Sequence, residues 1–161
     1  MRRKIGKPDK VIGLISDTHG LVRPQALDAL RGVDLIIHAG DVGKPEVIDA
    51  LKLIAPLHAI KGNNDRGAWA KKLPDAMFLT VGGVKLYVIH DVHELSFEPG
   101  KRGIAAVISG HSHRPSVVER DGVLFVNPGS AGPRRFKLPV TVGRLRIVDG
   151  KVRAEFEELT V

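Results

Sequence analysis

With 43% hydrophobic and 27% charged residues over 161 positions, the chain has the composition of one ordinary soluble globular domain, and no apolar run approaches the roughly 20 residues of a membrane helix. It has no cysteine, which excludes disulfides, thiolate metal sites and a cysteine nucleophile, so any metal must be held by His, Asp, Glu, Asn or backbone oxygen. The 25 basic against 18 acidic residues give a net charge of +7, which favours anionic ligands, but the basic residues are scattered and only 4% of residues are aromatic, which argues against sequence-specific reading of nucleic acid.

Residues 1–10 carry five basic side chains and read as a frayed lead-in to a cytoplasmic protein, because the next apolar run is too short for a signal sequence. Residues 11–16 are β-branched and aliphatic, predict a buried strand, and run into Asp17-Thr18-His19-Gly20. A carboxylate and an imidazole one residue apart beyond a strand suit manganese, iron, zinc or nickel. By itself the tripeptide is more simply a turn, with Asp17 capping the next helix and Gly20 allowing the bend. Residues 24–30 predict a helix opened by Pro24 in its first turn. Residues 33–41 are a second strand, running into Gly40 and Asp41, and residues 45–54 a second helix with Val47, Ile48, Leu51 and Ile54 at helical spacing. A third strand, 57–61, leads to Gly62-Asn63-Asn64-Asp65. Strand, helix, strand, helix, strand implies parallel pairing, with all three carboxyl ends on the edge where α/β proteins place their sites.

After a loop over 65–75, in which Trp69 is read as packing, the rhythm changes. Strands at 77–81 and 84–89 flank a Gly82-Gly83 hairpin, and the second delivers His90. Residues 92–103 are irregular; 105–109 form a strand running into Gly110-His111-Ser112-His113; 117–120 and 123–126 make a hairpin that ends in Asn127-Pro128-Gly129-Ser130. A last hairpin, 140–148 with 152–159, turns at Asp149-Gly150. An α/β first half and a largely antiparallel second half, without a linker or repeat, predict a single domain over 1–161 of α/β (α+β) class: two packed mixed sheets flanked by helices.

Asp17, His19, Asp41, Asn63, His90, His111 and His113 thus lie beyond five strand ends, and their convergence favours a metal site over five unrelated structural histidines and turns. The blocks Ser16-Asp17-Thr18-His19-Gly20, Gly40-Asp41, Gly62-Asn63, His90 and Gly110-His111-Ser112-His113 resemble, in order and spacing, those of the calcineurin-like metallophosphoesterases. The small size and the Asn127-Pro128-Gly129-Ser130 and Pro133-Arg134 segments are similar to the compact prokaryotic phosphodiesterase branch. The resemblance implies that Asp17, His19 and His113 hold one divalent ion, that Asn63, His90 and His111 hold another, and that Asp41 bridges them, with manganese first and iron, zinc or nickel as other candidates. It also implies a hydrolytic reaction at phosphorus, most simply of a small or nucleotide-like diester.

The wider family has a histidine where this chain has Asn64, an amide with no proton to donate near neutral pH. Asn64 is therefore placed at the substrate without the role of general acid, and His93 and Arg134 join it as candidate substrate contacts. Arg134 and Arg135 fit either phosphate binding or anchoring of their loop. His38 reads as a core histidine or a hydrogen-bond partner of a ligand, His58 as structural or exposed, and Asn127 and Ser130 as turn-shaping residues. A non-catalytic scaffold similar to the retromer subunit of the same fold, and a nuclease drawn to nucleic acid by the positive charge, are the alternatives. Exposed edge strands leave homo-oligomer formation open.

Overall fold

The structure is a computed structural model and describes residues 9–161. The basic lead-in therefore lies outside the described residues up to position 8, and Lys10 is already the first residue of β1 (Lys10–Ile15). The first half runs as expected: α1 (Pro24–Ala29), β2 (Leu35–His38), α2 (Pro45–Lys52) and β3 (Leu57–Ala59). Each helix opens with a proline after an extended residue, where the missing N–H costs nothing. β1 pairs parallel with β2, and β2 with β3.

The second half contributes β4 (Ala76–Val81), β5 (Val84–Ile89), β6 (Ile104–Ile108), β7 (Pro115–Arg120), β8 (Val123–Pro128), β9 (Thr141–Val148) and β10 (Lys151–Glu158). The last hairpin crosses back to the first sheet, where β9 lies antiparallel to β1, giving the order β10-β9-β1-β2-β3. The other sheet has the order β4-β5-β6-β8-β7. Its interior departs from the antiparallel expectation, for β5 pairs parallel with β6 and β6 parallel with β8. The cause is that β8 inserts between β6 and its own hairpin partner β7, which turns β8 into the direction of β6. The carboxyl ends of β5, β6 and β8 consequently share one edge, as those of β1, β2 and β3 do.

One core joins the sheets face to face: Ile12, Leu14 and Ile37 from the first pack with Leu86, Val88 and Ile108 from the second, all shut off from solvent. Both α-helices cover the outer face of the first sheet, where Ala26, Leu30, Val47 and Leu51 meet Ile15, Ile36 and Val142. The second sheet has no α-helix on its outside among the described residues. Instead the segment between β5 and β6, with short 3-10 turns at Val92–Glu94 and Pro99–Arg102, lays Leu95 and Phe97 near Tyr87, Ile104 and Val123. No helix among the described residues is long and apolar enough to cross a membrane.

Two leucines near the end of α2 test this packing. Leu51 is 1% exposed and Leu53 is 88% exposed. Leu51→Ala should cost about 2–5 kcal/mol of unfolding free energy in chemical denaturation, and Leu53→Ala no more than about 0.5 kcal/mol.

Candidate metal centre

The two sets of strand ends meet around Asp17. Beyond β1 and β2 the backbone stays zipped: the N–H groups of Asp17, His19 and Gly20 donate to the carbonyls of Gly40, Asp41 and Val42 at 3.0, 3.0 and 2.8 Å. From the other side, Ala131 N–H reaches Ser16 O at 3.1 Å and Ser130 Oγ donates to Asp17 O at 3.0 Å. The approach of the sheets at this edge is close. A β-carbon added to Gly110 would collide with Ser16 Oγ and the Asp17 carboxylate, and one added to Gly62 would collide with Asp41.

Backbone strain is concentrated here. Asp17, His19, Asp41, His111 and His113 have φ of 54, 48, 55, 73 and 64°, a region that side-chain-bearing residues seldom occupy. Left-handed backbone of this kind costs about 1–3 kcal/mol per residue and clusters at functional sites. The other non-glycine residues with such angles among those described are Asp121, Phe136 and Asp149.

The side chains converge in two overlapping sets, Asp17, His19 and His113 in one and Asp17, Asp41 and His90 in the other, with ligand atoms of each set within 4.8 Å of one another. His113 Nε2 and His90 Nε2 lie 3.5 and 3.8 Å from Asp17 Oδ1. His90 Nε2 and His19 Nε2 lie 3.3 and 3.7 Å from Asp41 Oδ2. The imidazole nitrogens of His19 and His113 are 3.4 Å apart. His111 stacks edge-on to His90 with ring centroids 5.2 Å apart but is half exposed, its Nε2 3.8 Å from Asp91 Oδ2. Asn63 is exposed, after Gly62 in the loop beyond β3.

In Asp17 and His90 the hydrogen bonds separate a fixed atom from a free one, and His113 Nδ1 is also buried without a partner. Asp17 Oδ2 accepts from Ser16 Oγ at 2.6 Å and from His111 N–H at 3.0 Å, while its buried Oδ1 has no partner. His90 Nδ1 is 2.7 Å from the Ala39 carbonyl and so carries its proton there, which leaves the buried Nε2 lone pair without a partner. Two orphaned acceptors aimed at one space are what a cation would satisfy, and the mixture of carboxylate and imidazole is the chemistry that holds a divalent transition metal. The donor set therefore fits a metal.

The electrostatics agree. Burial works against charge on His90, but Asp41, the Ala39 carbonyl and Asp17 outweigh it and raise its pKa to about 9. Carboxylates that favour a proton on Nε2 favour a divalent cation in the proton's place. Burial also pushes Asp41 up, yet the approach of His90, its Nε2 3.3 Å from Asp41 Oδ2, and the hydrogen bonds from Asn64 hold it well below the usual carboxylate range. Asp17 moves the other way, raised chiefly by burial. His113 falls to about 4 through burial and the nearby charges of Arg135 and His19, which keeps it a neutral imidazole.

Asn64, expected at the substrate, is bound to the Asp41 carboxylate. Its N–H donates to Asp41 Oδ1 at 2.9 Å and its Nδ2 to Asp41 Oδ2 at 3.1 Å. His93 is 89% exposed and donates its N–H to Asp91 Oδ1 at 3.0 Å, with its ring Nδ1 at the same distance. Arg134 and Arg135 are both exposed, and Arg135 is the one whose charge acts on His113. His38 is fully buried and neutral, its pKa lowered to about 3 by burial and by His90. It accepts from Gly40 N–H at 3.2 Å and reaches Thr18 Oγ at 2.9 Å, and Thr18 donates on to Val42 O, so it ties the first two loops together. Asn127 likewise holds the turn after β6, donating to Gly110 O and Ser112 Oγ.

Sequence reasoning passed over Asp65 and Asp91. Buried Asp65 accepts three backbone N–H groups, from Val42, Gly43 and Gly62 at 3.1, 2.8 and 2.9 Å, and so clamps the loops after β2 and β3. Asp91 faces His93 with one oxygen and His111 with the other. Neither role has a signal in the sequence beyond position beside a motif.

Comparison with known proteins gives the family. Residues 11–150 match the model of the calcineurin-like phosphoesterase superfamily domain. The chain belongs to that superfamily. It is 34% identical over 157 residues to a probable metallophosphoesterase of Methanothermobacter thermautotrophicus, covering 90% of each chain. It is 31% identical over 137 residues to a phosphodiesterase of Methanocaldococcus jannaschii, covering 73% of this chain and 82% of that one. The fold is also that of vacuolar protein sorting 29 from Cryptosporidium parvum, with TM-score 0.72, 19% identity and coverage of 95% and 99%. As a member of this superfamily the protein is a metal-dependent phosphoesterase, a hydrolase with candidate metal-binding residues grouped at one sheet edge.

Asp65 offers a test that leaves every candidate ligand in place. Asp65→Ala leaves three backbone donors without their acceptor and should destabilise the fold by roughly 3 kcal/mol, with a parallel loss of divalent-metal affinity in calorimetry. Asp65→Asn should lose less of both.

Proposed function

We propose that this protein is a phosphodiesterase that works with two divalent ions, manganese first among the candidates and iron, zinc or nickel after it. In this reading Asp17, His19 and His113 hold one ion, Asn63, His90 and His111 the other, and Asp41 lies between them. The observation that carries the reading is a pair of buried, unpartnered atoms, Asp17 Oδ1 on the residue common to both donor sets and His90 Nε2 in the second set. When bound, two such ions lower the pKa of a shared water and stabilise charge on the attacking and leaving oxygens of an in-line displacement at phosphorus.

The chain's own residues supply the rest. Asp17 is aimed by Ser16 and the His111 N–H, and His90 by the Ala39 carbonyl, so neither has to reorganise. Asn64 holds the Asp41 carboxylate through both oxygens. It brings no titratable proton to the substrate, so a leaving group departs without general acid assistance worth about 100- to 10,000-fold. This favours diesters with acidic leaving groups. The net charge of +7 draws an anionic substrate toward the protein and extends to nucleic acid without selecting a sequence. The scaffold alternative shares the fold, and turnover of a diester is what separates the two readings.

Protein stripped with a chelator should hydrolyse bis(4-nitrophenyl) phosphate only after manganese is restored, and Asp41→Asn should lower that rate by about 100-fold or more, since even residues behind a metal ligand are worth 10- to 100-fold. Metal-loaded protein with no turnover would contradict the assignment. Asn64→His should raise turnover on poor leaving groups more than on good ones. Equal changes on both would remove the proton-donor argument.

A further inference from the structure

An open groove of about 800 Å³ begins at Asp91, His111 and Asn127 and runs away from the candidate metal centre across the outer face of the second sheet. That volume falls within the roughly 300–1,000 Å³ of sites that take small organic ligands. Its floor is one face of the β7–β8 ladder, and the register orders the floor by polarity. Ser116 pairs with Asn127 at the metal end, Val118 with Phe125 in the middle and Arg120 with Val123 at the far end. Leu95 and Phe97 form the facing wall.

The wall is fixed in advance. Phe97 packs edge-on to Tyr87 with centroids 4.9 Å apart and carries the Arg102 guanidinium 4.1 Å from its ring. Val118, by contrast, is 45% exposed although its neighbours on the floor and wall are apolar. From Asn127 to Val123 the floor extends about 13 Å at the usual rise of a strand. At the far end the Arg120 guanidinium lies 5.4 Å over the Phe125 ring, which leaves a cation beside the apolar stretch.

From this geometry we infer that the groove is a specificity subsite that holds an apolar organic group, of aryl to nucleoside size, esterified to the phosphate. The inference rests on the phosphodiesterase reading, because the phosphate would sit at the end shared with His111 and Asp91. An ester group directed along the ladder meets hydrogen-bonding residues first, then Val118, Phe125, Leu95 and Phe97, and beyond them charged residues of both signs, Arg120 and Lys101 with Glu98 and Asp121. A methyl ester would leave that stretch empty. Small phosphates and aryl phosphates should therefore be distinguished by Val118, which is none of the proposed metal ligands.

The test compares equilibrium binding of diphenyl phosphate and dimethyl phosphate to the full chain by calorimetry, with manganese present. The wild-type protein should bind the diphenyl ester at least about tenfold more tightly, the scale expected for filling an apolar pocket. Val118→Glu should abolish the preference without changing the affinity for the dimethyl ester. Val117→Glu, on the opposite face of the same strand, should keep it and so controls for damage to the hairpin. Equal affinity for the two esters, or a preference that survives Val118→Glu, overturns the inference and leaves the ladder as a surface for another macromolecule. Hydrolysis of bis(4-nitrophenyl) phosphate, measured in parallel, separates the two readings: no turnover alongside an intact, Val118-dependent preference contradicts the phosphodiesterase assignment while supporting the groove.

Discussion

The carboxylate of Asp17 is where the two sheets are joined in function. It leaves the end of β1 in the first sheet, yet one of its oxygens is bound by the N–H of His111 from the second. Ser130, also from the second half, fastens the Asp17 carbonyl. These bonds fix one carboxylate oxygen and turn the other, unpartnered, toward three histidines contributed by the ends of β1, β5 and β6. Burial of such a group is unfavourable unless something satisfies it. The fold thus presents an electrostatic deficit at one point, and a cation is the species that removes it.

The backbone around this point carries a second cost of the same kind. Five chemically active residues, all Asp or His, are held in the left-handed region, which these types tolerate better than most side chains but still at a cost. The left-handed bend makes sense as a way to swing a side chain back over the strand end it has just left. Asp65 and His38 oppose that strain, one by gathering three N–H groups and the other by bridging two loops while remaining neutral. Neither side chain belongs to the cluster it supports.

Much of this was legible in the sequence, for a physical reason. Short apolar runs that stop at Ser-Asp, Gly-Asp, Gly-Asn, His-Asp or Gly-His mark strand ends locally, so β1, β2, β3, β5 and β6 could be placed without knowing which strands pair. Pairing was less accessible. The β7–β8 hairpin looks antiparallel from its turn alone, and its insertion beside β6 depends on contacts distant in sequence. The irregular segment after β5 gave no period to read, yet it covers the second sheet in place of a helix and forms the wall of the groove. Asp65 and Asp91 were invisible because their importance lies in what faces them. Asn64 stood out as a departure from the family, but its attachment to Asp41 arises only from the approach of two loops.

If this edge holds two ions, placed by the atoms the protein leaves without partners, anomalous scattering from crystals equilibrated with manganese locates them directly. Two peaks about 3.5–4 Å apart are expected, one against Asp17 Oδ1 and both within reach of Asp41. A single peak would contradict the paired-ion assignment, and no peak at Asp17 from protein that turns over substrate would contradict the site itself.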